Sequence, residues 1–336
     1  MDPAPNAPTV SVALCSHNGA RFVAEQVRSI LTQEFSVTEI VLSDDASGDG
    51  TVEIVTATVE EHRLAHPAHG ATLRILLNET PLGVAGNFTR AISACTSELI
   101  ALSDQDDVWL PGRLSAVVAD FAAREDLTLL HGDAIRIDSD GRELPESLFE
   151  TLQVSRRELR HISKGEAFRV FVRRNLATGA TVVFRRGLAA VALPVPSGWI
   201  HDEWLAIVAA ATGVVDADLR KLIGYRQHDL NQIGARPLDF ATRMDRLREA
   251  RTPRNARLLA RATSLVERFE YLGTFVRPAD LALARGKLRH ERFRSGLPRR
   301  RLLRALPIAG AALRGRYSRY GLGAKDVLRD LVQPVD

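Results

Sequence analysis

The sequence predicts an α/β fold with a mainly parallel sheet and helices on both faces. Apolar runs of strand length alternate with helical patterns in the first third of the chain, and three of these runs end in polar clusters. This alternation is typical of parallel sheets, because each helix returns the chain to the end where the next strand begins. The chain has 336 residues, 45% of them hydrophobic, which is enough for one large domain or two.

The first four predicted strands span residues 9–16, 39–43, 73–77 and 99–103. A helix should follow the first strand, because apolar residues recur there at the spacing of one helix face. These residues are Phe22, Val23, Val27, Ile30 and Leu31. A turn-rich stretch at residues 44–50 separates the second strand from a second helix.

Farther along, the pattern predicts helices at residues 114–121, 164–174 and 204–211, and extended segments at residues 128–133, 134–137, 178–185 and 219–226. Asp138 and Asp140 lie in a predicted turn, where aspartate is common and needs no further role. We divide the chain into a disordered N-terminus (residues 1–8), an α/β domain (residues 9–235) and a helical extension (residues 236–336), with the boundary near residues 234–238.

Charge is distributed unevenly along the chain. Residues 236–336 contain 24 Lys and Arg against 10 Asp and Glu, whereas residues 1–235 contain 21 against 31. The formal charges are therefore +14 and −10. Such asymmetry indicates a partner or a ligand of defined charge, although arginines on solvated helix faces would give the same count.

Composition excludes several classes of protein. Two cysteines, Cys15 and Cys95, cannot form a disulfide framework, and no CxxC spacing indicates zinc or redox chemistry. The sequence shows no secretion signal and no apolar stretch of the roughly 18 residues that a membrane span requires. We therefore expect a cytoplasmic protein.

The tetrad at residues 104–107 (DQDD) directly follows the fourth apolar run. Carboxylates packed this closely repel one another unless a cation or hydrogen-bond donors compensate, and hard divalent ions prefer oxygen ligands. The tetrad therefore predicts a metal site, and a solvated acidic loop is the alternative. Two other polar clusters, residues 16–19 and 44–49, also follow predicted strands. Ligands of parallel sheets bind beyond the carboxyl ends of the strands, so the three clusters should converge.

Several motifs together resemble the family 2 glycosyltransferases, enzymes of the GT-A fold that move a sugar from a nucleotide donor to an acceptor hydroxyl. The motifs are residues 15–19 (CSHNG), 26–33 (QVRSILTQ), 43–51 (SDDASGDGT) and 103–109 (SDQDDVW). The resemblance spans residues 10–235 and implies a Rossmann-like GT-A domain, with an Arg-rich α-helical extension beyond it.

The resemblance implies a role for each acidic cluster. Asp45 is expected to bind the nucleoside of a nucleotide-diphosphate sugar. Asp49 and Thr51 suit helix capping as well as they suit donor binding, so we expect them to have a structural role. In the DXD element, Asp104 would face the ribose, and Asp106, supported by Asp107, would bind Mg²⁺ or Mn²⁺. The cation would stabilise the charge that develops on the departing diphosphate.

Residues 199–204 (WIHDEW) look like the family's acceptor-side motif, in which an aspartate acts as general base. The resemblance therefore implies Asp202 as the base, although His201 replaces the glutamate that commonly precedes it. Asp202 could instead cap the following helix, and Glu203 is the substitute if the register is shifted by one residue. Residues 175–181 (NLATGAT) resemble the segment that lines the acceptor pocket.

Residues 225–231 (YRQHDLN) resemble the element that closes the donor site. Here Arg226 could neutralise phosphate charge, and His228 could bind the metal or the diphosphate. A purely structural histidine is the alternative. The combination of DQDDVW, HDEW and YRQH looks most like bacterial members associated with rhamnosyl transfer onto surface polysaccharide. The expected acceptor is a saccharide or a lipid-linked saccharide.

Residues 299–304 (RRRLLR), followed by Leu306, Pro307 and Ile308, combine a basic cluster with apolar neighbours. This combination predicts peripheral contact with an anionic membrane, and a helical extension packed on the catalytic domain is the alternative. We expect no nucleic-acid binding, since no recognised motif accompanies the charge. The competing function is a non-catalytic GT-A-like scaffold that binds a membrane or nucleic acid through its basic region. A sugar nucleotidyltransferase is disfavoured because no Gly-rich phosphate loop follows the first strand.

Overall fold

The computed structural model describes residues 8–67, 70–228 and 250–334. Its strands, in chain order, are β1 (Val10–Ser16), β2 (Glu39–Asp44), β3 (Thr72–Leu77), β4 (Leu99–Asp104), β5 (Val108–Trp109), β6 (Leu127–Gly132), β7 (Ile135–Ile137), β8 (Val183–Arg185), β9 (Val214–Asp218) and β10 (Ile223–Arg226). Within these residues, seven strands form one sheet in the order β3-β2-β1-β4-β8-β6-β9, and β5-β10-β7 form a small second sheet.

The large sheet is mainly parallel, as the sequence predicts. Strand β1 pairs in parallel with both β2 and β4, and β2 pairs in parallel with β3. Only β8 runs against its two neighbours, β4 and β6, in this part of the chain. Strands β2 and β3 therefore lie on one side of β1, and β4 lies on its other side. This change of side along the chain opens a crevice beyond the carboxyl ends of β1 and β4.

The described helices are α1 (Val23–Leu31), α2 (Thr51–Ala65), α3 (Gly83–Ala94), α4 (Arg113–Ala123), α5 (Leu148–Thr151), α6 (Arg156–Ser163), α7 (Ala167–Phe171), α8 (Gly187–Ala192), α9 (His201–Thr212), α10 (Arg251–Leu272), α11 (Pro278–Ser295), α12 (Ala305–Leu313), α13 (Arg316–Tyr320) and α14 (Ala324–Val332). Short 3₁₀ turns occur at Gly179–Thr181, Gly273–Phe275 and Arg301–Arg304.

The helices cover both faces of the sheet, which confirms the predicted layers. Alternate residues of β1 point to opposite faces, as strand geometry requires. Val12 and Leu14 pack in a cluster with apolar residues of α1, α2 and α4. Ala13 and Cys15 pack in the opposite cluster, which includes residues of α3, α7 and α9.

Three local predictions were wrong in part. The helix predicted at residues 164–174 is the shorter α7, because Gly165 adopts φ +74° and ends the preceding helix. The strand predicted at residues 178–185 is interrupted by a 3₁₀ turn at Gly179–Thr181, and only β8 within it pairs as a strand. The extended segment at residues 219–226 contains β10, and the pattern missed β9 just before it.

The basic extension packs on the α/β domain through α10. Ala262, Leu265, Val266 and Phe269 of this helix belong to the same apolar cluster as α9. The prediction of a disordered N-terminus at residues 1–8 falls, except for Pro8, outside the described residues. The predicted boundary near residues 234–238 also lies outside them.

Across the described segments of the chain, no helix combines the length and the apolar character needed to cross a membrane.

Candidate active site

A cleft of about 330 Å³ opens at the carboxyl ends of β1, β2 and β4. The predicted site residues that line it are Asp45, Asp104, Asp106, Asp202 and His228. Asp202 belongs to the first turn of α9, which is distant in sequence from the other aspartates. The predicted convergence of the strand-end clusters is therefore observed, and α9 brings a further carboxylate into the same cleft.

The loops after β1 and β4 are joined by the side chain of Gln105. Its amide oxygen accepts a hydrogen bond from the backbone N–H of His17 at 2.7 Å, and its amide nitrogen donates to the His17 carbonyl at 3.1 Å. A β-carbon at Gly19 would overlap the amide end of this glutamine, so a larger residue there would displace the Gln105 amide from His17.

Asp45 and Asp44 have different positions at the end of β2. Asp45 lines the cleft, and its carboxylate accepts hydrogen bonds from the Asn78 side chain and from the backbone N–H groups of Leu82 and Gly83, at 2.7 to 2.9 Å. Asp44 is buried and accepts from the hydroxyl groups of Ser16 and Ser47, both at 2.6 Å. Asp45 therefore borders the cleft while it holds the loop before α3.

Asp49 makes local contacts but does not cap α2, whose N-cap residue is Gly50 and which has no side-chain cap. Its carboxylate accepts a hydrogen bond from the backbone N–H of Thr51 at 3.2 Å and another from the backbone N–H of Ala20 at 3.0 Å. The Thr51 hydroxyl oxygen accepts from the backbone N–H of Gly19 at 2.8 Å. These bonds fix the start of α2 against the loop that follows β1.

Asp104 and Asp106 lie in an environment that disfavours negative charge. Burial, together with the charges of Asp106 and Asp202, raises the pKa of Asp104 to about 8. Burial also raises the pKa of Asp106, and a hydrogen bond with His228 opposes that shift. The distance between His228 Nε2 and Asp106 Oδ2 is 2.8 Å. A cation or a cationic group in the cleft would stabilise these carboxylates in their ionised forms.

Asp107 and Arg226 are not among the residues that line the cleft. Both are buried behind it, and Asp107 Oδ1 accepts from the Arg226 backbone N–H at 2.9 Å. The Arg226 guanidinium donates to the Asp106 carbonyl at 2.7 Å and to the Glu25 carboxylate at 2.6 Å. The structure thus places Asp107 and Arg226 beside the acidic loop. The Arg226 guanidinium, predicted to contact phosphate, donates its hydrogen bonds to protein oxygens here.

The donor set fits a metal that a bound diphosphate helps to coordinate. Among the described residues, no three His, Cys, Asp or Glu side chains are grouped so that they could hold a metal ion by themselves. Mg²⁺ typically takes one or two carboxylates and completes its shell with substrate phosphates and water. Asp106 offers such a ligand beside His228, and Oδ2 of buried Asp107 accepts no hydrogen bond in the described structure.

Asp202 is held by two backbone hydrogen bonds at the entrance to α9. Its Oδ2 accepts from the Gly179 N–H at 2.9 Å, and its Oδ1 accepts from the Glu203 N–H at 2.6 Å. The N-cap position of this helix is Ile200, so Asp202 is not the N-cap residue. Burial and the charge of Glu203 raise the pKa of Asp202 to about 7. A carboxylate with a pKa in this range is well suited to accept a proton near neutral pH.

Glu203, the alternative base, has a different environment. It is not among the residues that line the cleft, and its carboxylate forms an ion pair with Arg261 of α10. His201 does line the cleft, where its ring stacks on Phe88 with centroids 3.7 Å apart. Both ring nitrogens of His201 are buried and make no hydrogen bond, and burial lowers its pKa to about 3.

Sequence reasoning missed Arg21, Phe22 and Phe88 among the residues that line the cleft. Arg21 is exposed, and its guanidinium lies 4.7 Å from the centroid of the Phe22 ring. The signal was present in the sequence, because Arg21 lies only two positions after the polar cluster at residues 16–19. The helical spacing of Phe22 predicts only a core position in the first helix.

The model of glycosyl transferase family 2 matches residues 11–190, which is more than half of the chain. The chain belongs to glycosyl transferase family 2. The matched residues include the clusters at the ends of β1, β2 and β4, and they stop short of Asp202 and of the extension. The resemblance proposed from the motifs is therefore confirmed at the level of the family.

Two bacterial relatives of this chain are named as glycosyltransferases. The putative glycosyltransferase EpsE of Bacillus subtilis is 35% identical over 112 residues, covering 33% of this chain and 38% of that protein. The dTDP-rhamnosyl transferase RfbG of Shigella flexneri is 33% identical over 109 residues, covering 31% of this chain and 35% of that protein. The chain thus matches between a third and two fifths of the length of each.

Among solved structures, TarS of S. aureus, residues 1–349 in complex with UDP-GlcNAc, is similar to this chain over most of its length. The TM-score is 0.52 at 18% identity, with 96% of this chain and 89% of that chain covered. At this identity the likeness shows the fold alone. Together with the family match, it confirms the predicted GT-A fold with its helical C-terminal region.

Proposed function

We propose that this family 2 member transfers a sugar from a nucleotide-diphosphate sugar to a hydroxyl group of a saccharide or lipid-linked saccharide. The proposed reaction is an inverting displacement that depends on Mg²⁺ or Mn²⁺, within the synthesis of a bacterial surface polysaccharide. The observation that best supports this proposal is the presence of Asp104, Asp106 and Asp202 in one cleft at the sheet's switch point. These carboxylates come from two separate segments and would flank a bound sugar.

Asp45, Asp104 and Asp106 provide the donor half of the proposal. Asp45 and Asp104 would accept hydrogen bonds from the nucleoside, since nucleobase and ribose present N–H and O–H donors. Asp106, with His228 beside it, would hold the metal, which when bound stabilises negative charge on the diphosphate leaving group. Because Arg226 binds the Asp106 carbonyl and its backbone N–H binds Asp107, we propose that this pair positions the acidic loop.

Asp202 provides the acceptor half. An alcohol is a weak nucleophile at neutral pH, so a carboxylate must accept its proton as the new bond forms. Asp202 is held by the N–H groups of Gly179 and Glu203 and borders the cleft, which suits it to this role. Attack on the sugar from the side opposite the diphosphate would invert the anomeric carbon.

The names of relatives support a donor of the hexosyl or rhamnosyl type. One relative is named as a dTDP-rhamnosyl transferase, and the TarS structure contains UDP-GlcNAc. Another relative, WfgD of Escherichia coli, is named as a glucosyltransferase that acts on a diphosphoundecaprenol-linked sugar. These names motivate a test with several nucleotides and sugars.

The test is a screen of UDP-glucose, UDP-N-acetylglucosamine, GDP-mannose and dTDP-rhamnose with Mn²⁺, measured by thermal stabilisation and by release of nucleoside diphosphate. We expect at least one donor to stabilise the protein and to be turned over only with metal, and Asp106→Ala to abolish both effects. Asp140→Ala, in a turn outside the cleft, is the matched control and should behave as wild type. A scaffold without activity would bind none of the donors, with or without Mn²⁺.

We also propose peripheral association with the anionic inner face of the cell membrane through α12. This helix contains no charged residue, yet Leu306 and Leu313 are 85% and 89% exposed. These residues are seven positions apart, two turns on the same helix face. In the preceding turn Leu302 is 91% exposed. A helix that is apolar on its solvent face is typical of a membrane interface.

Arginines border this apolar surface and complement anionic lipid. Arg300 and Arg301 precede α12, Arg314 follows it, and all three are exposed. Arg304 does not contribute, because it is buried and donates to the carbonyls of Pro298 and Gln333 at 2.8 and 2.9 Å. The proposed membrane-contact surface therefore contains fewer arginines than the basic cluster at residues 299–304 indicates.

Sedimentation with vesicles tests the membrane proposal. We expect binding to phosphatidylglycerol-containing vesicles that weakens with salt and is lost in Leu306→Ser/Leu313→Ser. Leu64→Ser/Leu219→Ser is the control, since these leucines are 73% and 63% exposed elsewhere on the surface. Equal loss in both double variants, or equal binding to neutral vesicles, would contradict the proposal.

A further inference from the structure

The extension contacts the acidic pair Asp202-Glu203 directly. Arg261 of α10 forms an ion pair with Glu203 at 2.5 Å, and its guanidinium lies 4.0 Å from the centroid of the Trp199 ring. The side chains of Arg261 and Glu203 are only 21% and 17% exposed, so solvent screens this pair weakly. An arginine stacked on an aromatic ring and paired with a carboxylate is held in one geometry.

Trp199 and Glu203 bracket Asp202 in the sequence, and both contact α10. Besides its stacking on Arg261, the Trp199 indole N–H donates to the Ser264 hydroxyl at 3.0 Å. The short segment that contains Asp202 is therefore attached to α10 before and after the carboxylate. Residue 261 lies beyond the part of the chain that the family model matches, residues 11–190.

Charged and titratable groups face Asp202 from two elements. Asp104 at the end of β4 and Glu203 within α9 are acidic groups, burial raises the pKa of Asp104, and the neighbouring His201 is neutral because burial lowers its pKa. Burial first, and then Glu203, raise the pKa of Asp202. The positive charge of Arg261, held against Glu203, offsets the negative charge that raises the pKa of Asp202.

We infer that Arg261 is a positioning residue for the proposed base: it fixes the first turn of α9 through Trp199 and Glu203 and neutralises the second carboxylate beside Asp202. The inference rests on the proposed role of Asp202. It makes the extension a part of the active site in addition to any contact with a membrane. It also predicts that a change in α10 alters the pH dependence of the reaction.

The test is the pH profile of donor turnover, with water as acceptor and the nucleotide sugar that stabilises the protein most in the screen. Arg261→Gln leaves Glu203 without its cation, so the acidic limb should move to higher pH by about 0.5 to 1 unit. Glu203→Gln removes the negative charge, so the limb should move to lower pH. This second variant keeps the inference testable if Arg261→Gln fails to fold.

The double variant Glu203→Gln/Arg261→Gln separates electrostatics from general damage. If Arg261 and Glu203 act on Asp202 as a neutralised pair, removal of both charges should return the acidic limb to near its wild-type position. A limb that follows Arg261→Gln, or no shift in either single variant, would overturn the inference. Arg285→Gln is the matched control, because it breaks an exposed ion pair with Glu270 between α10 and α11 and should not move the limb.

Asp202→Asn distinguishes failure of this inference from failure of the proposed function. Full turnover in Asp202→Asn would remove the proposed base, and the role of Arg261 with it. Loss of turnover in Asp202→Asn, combined with an unshifted limb in Arg261→Gln and Glu203→Gln, would remove only the role of Arg261.

Discussion

Asp202 combines burial with a neighbouring negative charge, and the two effects determine when it can accept a proton. Its pKa is raised to about 7, so the carboxylate is protonated below that pH and ionised above it. A general base must be ionised, so we predict that donor turnover rises with pH through about 7 and then levels off. The measurement is the pH dependence of nucleoside diphosphate release at saturating Mn²⁺. A rate that falls as pH rises from 6 to 8 would contradict the assignment.

Gly179 lies where its neighbours leave no room for a side chain. A β-carbon there would come within 2.9 Å of His201 Nε2 and 3.8 Å of Asp104 Oδ2. Since His201 is buried against Phe88, we predict that Gly179→Ala displaces the Asp202 segment and lowers turnover by roughly 10- to 100-fold. Gly187→Ala, which meets no atom within 4 Å, should retain wild-type turnover in the same assay. Equal rates in the two variants would show that the fit at Gly179 has no importance for turnover.

Individual site residues could be predicted from the sequence only as far as strand ends and motifs reveal them. Asp45, Asp104 and Asp106 follow apolar runs, and they line the cleft. Gln105 lies inside the acidic tetrad, but its role depends on Gly19, from which it is far in sequence. The pairing of Glu203 with Arg261 was not predictable either, because it joins two residues 58 positions apart on different helices.

Helix α6 depends on its first turn for stability. Ser155 and Glu158 form a capping box, and Arg174 donates to both carboxylate oxygens of Glu158 at 2.8 Å. Burial alone would raise the pKa of Glu158, but the hydrogen bonds from Arg174 and Ser155 outweigh it and lower the pKa to about 2. Glu158 therefore stabilises the fold while it is ionised.

We predict that Glu158→Gln destabilises the protein by about 1 to 3 kcal/mol at pH 7. The folded-state pKa is depressed, so this stabilisation is present above the unfolded value of about 4.3 and is lost as pH falls toward 2. Urea unfolding at pH 7 and pH 3.5 measures the difference. Glu61→Gln, in an exposed ion pair with Arg28, is the control and should change stability little at either pH. A pH-independent loss would contradict the electrostatic explanation.

Elements with strong periodicity were predicted well, and those set by tertiary contacts were not. The parallel strands β1, β2 and β4 are buried on both faces and appear in sequence as continuous apolar runs. The missed strand β9 contains Asp216 and Asp218, which are paired with Arg124 and Arg220. Its strand character depends on pairing with β6 at the edge of the sheet, which the local sequence does not reveal.

At the scale of the whole molecule, α10 joins the extension to the catalytic domain. Phe269 is fully buried, and its ring lies 5.5 Å from that of Phe168 in α7. We predict that Phe269→Ala destabilises the protein by about 3 to 5 kcal/mol, and that sheet and extension unfold in one transition. Coincident urea curves from far-UV circular dichroism and tryptophan fluorescence would verify this. Tyr271→Ala, at an 85% exposed position of the same helix, should change little. An extension that unfolds separately would contradict the prediction.

The overall arrangement of the cleft follows from topology that the sequence pattern already indicates. Alternating strands and helices predict a parallel sheet, and a parallel sheet brings its strand ends to one edge. The pattern could not predict that α9 lies at that edge or that α10 packs beside α9. These positions depend on side-chain packing between segments that are distant in the sequence. Strand ends therefore predicted the carboxylates that follow β2 and β4 in the cleft, whereas Asp202 was indicated by the resemblance alone.

In the proposed reaction the carboxylates of the cleft have different roles, with Asp106 on the donor side and Asp202 on the acceptor side. The most direct test measures donor binding and donor turnover together, with Mn²⁺, in wild type, Asp106→Asn and Asp202→Asn. We predict that Asp202→Asn binds the donor like wild type while its turnover falls by at least about 100-fold, and that Asp106→Asn loses both. Wild-type turnover in Asp202→Asn, or unchanged metal-dependent binding in Asp106→Asn, would contradict this division.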